Sequence, residues 1–156
     1  MAQTMNMKKN VILLIEDDGL DVISVERSLR KMDMEYELHT AFNGIEALDM
    51  LRGSAGRSPM EPLPDLILLD INMPKMTGLE FLRVLRSDDC LSQIRVFVMT
   101  TSGEQEDRRK AEELGISGYL IKPMSYNSSY NRADSMESFV QFQVRRILRE
   151  QKSEED

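Results

Sequence analysis

Apolar residues follow two rhythms along this chain. Short unbroken runs, VILLI at 11–15, LILL at 66–69 and VFVM at 96–99, are bounded by polar or turn residues. Runs of that length suit strands buried on both faces, as in the middle of a parallel sheet. Elsewhere apolar positions recur at steps of three and four: Val22, Val25, Leu29 and Met32, then Leu79, Leu82 and Leu85, then Met136, Val140, Val144 and Ile147, reaching Leu148. Each set predicts a helix with one buried face. YELHTA at 36–41 alternates roughly as a further strand would, and Asn43-Gly44 is a turn signal ahead of a short helix, IEALDMLR, that Gly53 closes. Glu104 to Leu114 is highly charged, with Ala111 and Leu114 as core contacts and Gly115 as a stop, so it reads as a helix with a broad solvated face. Tyr119 to Ile121 supplies a fifth strand.

Five strands thus alternate with five helices, which predicts a doubly wound α/β fold around a five-stranded parallel sheet. The domain is expected to span 11–150, after a disordered leader at 1–10 and before a disordered acidic tail, QKSEED, at 151–156. The Gly, Ser and Pro of GSAGRSPMEPLP predict a loop within that domain rather than a boundary. No nucleotide-binding glycine loop of the GxGxxG or GxxxxGK[ST] kind is present.

Composition narrows the function classes. At 156 residues and 41% hydrophobic content the chain fits one domain with a proper core. A net charge of −7 and a pI near 4.9 argue against nucleic acid as a partner, which would require a basic face. The single Cys90 can form no internal disulfide, so a reducing cytoplasm is the expected compartment. The only histidine, His39, lies in a predicted strand with no second histidine to share a metal. The apolar run after the leader is too short for a signal peptide or a membrane span. The twelve methionines are scattered and read as gap fillers in the core.

Chemistry gathers where the strands end. In a parallel sheet all carboxyl ends share one edge, so Glu16 and Asp17, Asp70, Thr100 and Lys122 are expected to converge. Neighbouring carboxylates repel unless a cation neutralises them, and hard oxygen ligands beside a wet loop suit Mg²⁺. An aspartate can also attack phosphorus and form an acyl phosphate, with Lys122, Thr100 and the metal offsetting charge on the phosphoryl oxygens. Asp18 and Asp21 read instead as first-turn acids that meet the dipole of the first helix, and Glu104, Glu106 and Asp107 as the same for the fourth.

The set LLIEDD, LLDINMPKMTG, VMTTS and GYLIKP resembles the receiver domain of two-component response regulators, across roughly Asn10 to Leu148. The resemblance implies a flavodoxin-like fold and a signalling module that catalyses only its own phosphorylation and dephosphorylation. It implies Asp70 as phosphoacceptor, Glu16 and Asp17 as the acidic pair with Asp17 the direct Mg²⁺ ligand, and the backbone carbonyl of Asn72 as a further ligand. Thr100 would be the switch hydroxyl, Lys122 the lysine that meets the phosphoryl group, and Tyr119 the aromatic that moves with Thr100. Thr101 and Ser102 would flank the phosphoryl position.

The implied donor is a histidine kinase or a histidine phosphotransfer protein. The implied output is a protein contact, to a downstream target or to a second copy in a homodimer, through the face of the fourth helix, fifth strand and last helix. The chain is expected to act as a stand-alone regulator, more loosely like those associated with phytochromes. Two departures stand out: the longer loop at 53–64, and an insertion of about ten residues from Met124 to Ser135 at the output face. Two other classes compete. Haloacid-dehalogenase phosphatases also place a nucleophilic Asp after an apolar strand, but need a second Asp two residues on, where this chain has Asn72. A receiver-like adaptor that is never phosphorylated would not need the acid, Thr and Lys set.

Overall fold

The structure, a computed structural model, describes residues 9–101, 103–122 and 141–150. The predicted leader up to residue 8, Ser102, the Met124 to Ser135 insertion and the acidic tail lie outside the described residues. VILLI becomes strand β1, Asn10–Ile15, buried throughout. It begins one residue before the apolar run because Asn10 pairs with Tyr36 and donates its side-chain amide to the Glu35 carbonyl at 3.2 Å. Helix α1 follows over Gly19–Arg30, then β2 over Tyr36–Ala41, α2 over Gly44–Arg52 and β3 over Leu66–Leu69. Next come α3 over Gly78–Ser87, β4 over Arg95–Thr100, α4 over Gln105–Glu113 and β5 over Gly118–Ile121. Residues 141–150 form a last helix, α5.

The five strands make one parallel sheet in the order β2-β1-β3-β4-β5. The chain therefore steps outward from β1 to β2 and then returns to lay β3 on the other side of β1. That reversal opens a crevice beyond the carboxyl ends of β1 and β3, where doubly wound sheets bind ligands. Strand periodicity divides the core in two. Leu13, Ile15, Ile67, Leu69, Val96 and Val98 face α2, α3 and Ala111 of α4. Ile12, Leu14, Leu66, Leu68, Phe97 and Met99 face Val25 and Leu29 of α1 and Val144, Ile147 and Leu148 of α5. A buried Leu, Ile or Val contributes roughly 1.5–3 kcal/mol, so this double-sided sheet is the main stabilising body. The uninterrupted apolar runs follow from it: both faces of the central strands are covered. The methionines that fill this core include Met32, Met50, Met73 and Met99. His39 lies half exposed on the edge strand β2, near Glu37.

Local chemistry sets the helix starts. Asp18 caps α1 by accepting from the amides of Leu20 and Asp21, Asn43 caps α2 through the amide of Glu46, and Thr77 caps α3 through that of Glu80. Gly53 ends α2 with a φ of 81°, a conformation costly for other residues. The 53–64 loop folds back on the helix it leaves: Ser54 and Arg57 exchange two backbone hydrogen bonds, and the Met60 amide donates to the Met50 carbonyl at 2.8 Å. Arg86, near the end of α3, donates to the carbonyls of Ser92, Ile94, Leu114 and Gly115 and ties the loops entering β4 and β5 to that helix. No described helix is long and apolar enough to cross a membrane.

Candidate functional site

Four strand ends build the site. The β1 ladder continues for one residue, with the Glu16 amide donating to Ala41, and the Asp70 amide donates to Ile15 at 3.1 Å, so Glu16 and Asp70 leave adjacent strands together. On the far side the Lys122 amide donates to the Thr100 carbonyl at 2.7 Å, which sets the lysine just past β5. Carboxylate oxygens of Glu16, Asp17 and Asp70 lie within 4.8 Å of one another. Glu16 and Asp70 are buried, whereas Asp17 is exposed at the mouth.

Past β3 the chain turns at once. The Asn72 amide donates to Asp70 Oδ1 at 3.2 Å, and the Gly78 amide closes the turn on the Ile71 carbonyl at 2.9 Å. Asn72 Nδ2 lies 3.2 Å from Thr101 Oγ1 and 3.5 Å from Thr100 Oγ1, bridging the ends of β3 and β4. Thr100 is fully buried. Tyr119, on β5, is half buried against the α2–α3–α4 core, and the Arg108 guanidinium stands 5.5 Å from its ring centroid.

Lys122 is 2% exposed and its ammonium contacts three acids. It forms close ion pairs with Glu16 and, at 2.9 Å, with Asp21 Oδ2, while Asp70 Oδ2 lies 3.7 Å away. Here the structure adds to the sequence reading of Asp21 as a first-turn acid that meets the helix dipole. The residue does stand in the first turn of α1, but it is 2% exposed and turned into the pocket. A signal was available: Asp21, Val25 and Leu29 lie at steps of four on the buried stripe of α1. Asp18, by contrast, is the cap described above, and Glu106 and Asp107 occupy the first turn of α4 behind Glu104.

Burial pushes the Glu16 carboxyl up to about 8, against the pull of the Lys122 ammonium. Burial alone would lower Lys122, but Glu16 and Asp70 hold it above the usual lysine range. Among the described residues the pocket thus carries more acid than Lys122 offsets. Hard oxygen donors of this kind, two buried and one open to water, fit Mg²⁺, which takes one or two carboxylates and keeps several waters.

The comparisons with known proteins agree with this geometry. The family model described as the response regulator receiver domain matches residues 12–133. Response regulator Rcp1 of Synechocystis sp. is 34% identical over 129 residues, covering 83% of this chain and 87% of that protein. The crystal structure of the phosphorylated cyanobacterial phytochrome response regulator RcpA superposes with a TM-score of 0.72 at 30% identity, covering 86% of this chain and 90% of the other. The Mn²⁺-bound form of Rcp1 superposes with the same TM-score and identity, covering 85% and 89%.

Proposed function

The chain belongs to the response regulator receiver family, and from that premise we propose that it is a phosphorylation switch with Asp70 as its phosphoacceptor. The observation that carries this reading is the gathering of Glu16, Asp17, Asp70 and Lys122, remote in sequence, into one pocket at the switch point of the sheet. The related regulators described above, one phosphorylated and one Mn²⁺-bound, support it.

In this reading an Asp70 carboxylate oxygen attacks the phosphorus of a phosphohistidine presented by a histidine kinase or phosphotransfer protein. An O–P bond forms, the P–N bond breaks, and its electron pair leaves with the imidazole. Glu16, Asp17, Asp70 and the Asn72 carbonyl would hold Mg²⁺, which when bound neutralises and aligns the phosphoryl oxygens. Holding the metal would require the Glu16 carboxyl to be ionised. Lys122 and the Thr100 hydroxyl then take hydrogen bonds and ion pairs to the transferred group. Thr100 moving toward that group vacates space beside β5, and Tyr119 follows into it, leaving Arg108. That redistribution favours an active arrangement of the α4–β5–α5 face, which meets a downstream protein or a second copy.

Incubation with radiolabelled acetyl phosphate and Mg²⁺ tests the reading. Wild type becomes labelled and Asp70→Asn does not; equal labelling of the two would remove Asp70 from the role. An adaptor that works unphosphorylated would show no labelling of either.

A further inference from the structure

Among the described residues, the mechanism leaves the buried acid Asp21 unused. Asp21 reaches the pocket from α1, outside the Glu16, Asp17 and Asp70 oxygen cluster, and its Oδ2 accepts from Lys122 Nζ at 2.9 Å. The same ammonium also donates to Glu16 and stands 3.7 Å from Asp70 Oδ2, past hydrogen-bond length. An ammonium has three protons to donate. Two are committed to acids that would never carry the phosphoryl group.

We propose that Asp21 is a positioning residue for phosphoryl transfer: it holds the Lys122 ammonium on the α1 side of the pocket, away from Asp70, and thereby sets how readily a phosphoryl group accumulates there. The inference rests on the reading of Asp70 as phosphoacceptor. Turning the Asp70 carboxylate into an acyl phosphate adds about one negative charge to a pocket already rich in acid. Lys122 is the cation that the described pocket offers, and its stem enters from the end of β5. One of its protons is uncommitted, but to bring phosphoryl oxygens on Asp70 within hydrogen-bond length the ammonium has to move toward Asp70 and away from Asp21. Asp21 opposes phosphorylation twice, as a competitor for the donor and as a like charge in a site with little solvent.

Asp21→Asn keeps the shape and removes the charge. Beryllium fluoride with Mg²⁺, which mimics a phosphoryl group on a carboxylate, is titrated calorimetrically into wild type, Asp21→Asn and Asp70→Asn, alongside acetyl phosphate labelling. The expected result is a half-saturating beryllium fluoride concentration about tenfold lower in Asp21→Asn, with faster labelling. Equal or weaker binding than wild type overturns the positioning role. A wild type that neither labels nor binds the mimic overturns the Asp70 reading, and the inference with it. If the variant does not fold, the wild type still decides. The ¹⁵N signal of the Lys122 ammonium is expected to lose its hydrogen-bond coupling to the Asp21 carboxylate when the mimic binds. A coupling that persists unchanged overturns the inference.

Discussion

No side chain fits between Gly78 and the backbone of Asp70: a Cβ built on Gly78 would stand 2.3 Å from the Asp70 carbonyl oxygen and 2.7 Å from the Ile71 Cα. Both neighbours are main chain, fixed by the sheet on one side and by the Gly78 to Ile71 hydrogen bond on the other. Gly78→Ala therefore has to shift the very segment that aims Asp70. We expect a loss of about 2–4 kcal/mol in urea unfolding. Labelling by acetyl phosphate should also fall, under conditions where the variant remains folded. A loss below about 0.5 kcal/mol would mean that the turn relaxes freely.

Asp17 is exposed while its two companions are buried, so its removal separates metal binding from folding. In Asp17→Ala, Mg²⁺ affinity measured by calorimetry should drop at least about tenfold with little change in unfolding free energy. Unchanged affinity would take Asp17 out of the metal shell.

The raised Glu16 carboxyl makes the metal-free protein sensitive to pH in an unusual direction. Between the ordinary value of 4.5 and about 8, the unfolded chain releases this proton and the folded one keeps it. Stability is thus fully present below about 4.5 and declines as pH rises toward 8, with a limiting slope of about 1.4 kcal/mol per pH unit. Lys122, raised rather than lowered, contributes stability that is lost only above the ordinary lysine range. Asp88, held low chiefly by the Cys90 amide, and Glu106, held low chiefly by Arg109, act below the window. Thermal melts in EDTA from pH 5 to 8 should show the decline, and Glu16→Gln should flatten it. A slope that survives that substitution would assign the proton elsewhere.

Arg86 serves four carbonyls with one guanidinium, at 2.7 to 2.9 Å. Arg86→Met keeps the apolar stem and strands the acceptors, for an expected cost of about 3 kcal/mol. Arg86→Lys should recover less than half, because a compact ammonium cannot span carbonyls from two loops. Full recovery by lysine in urea unfolding would show that charge alone matters.

Much of the fold and of the pocket is legible in the sequence. The strands at 11–15, 66–69 and 96–99 are local facts, since an unbroken apolar run has nowhere to go but a sheet covered on both faces. The convergence of Glu16, Asp17, Asp70, Thr100 and Lys122 followed from parallel topology alone. Asp21 did not, because its acidic neighbours and first-turn position offered a sufficient local explanation. Arg86 was invisible for a related reason: its acceptors are backbone atoms, and backbone acceptors have no letter in the sequence.

The sequence by itself determined which segments are strands, which helices cover them, and that acid, hydroxyl and ammonium meet at one edge, because periodicity and strand polarity act along the chain. Only the tertiary structure decided which acids hold the Lys122 ammonium. That choice depends on how α1 lies across the sheet and on burial that makes each partner expensive to leave. Distances of 2.9 Å to Asp21 and 3.7 Å to Asp70 arise from packing between elements far apart in the sequence.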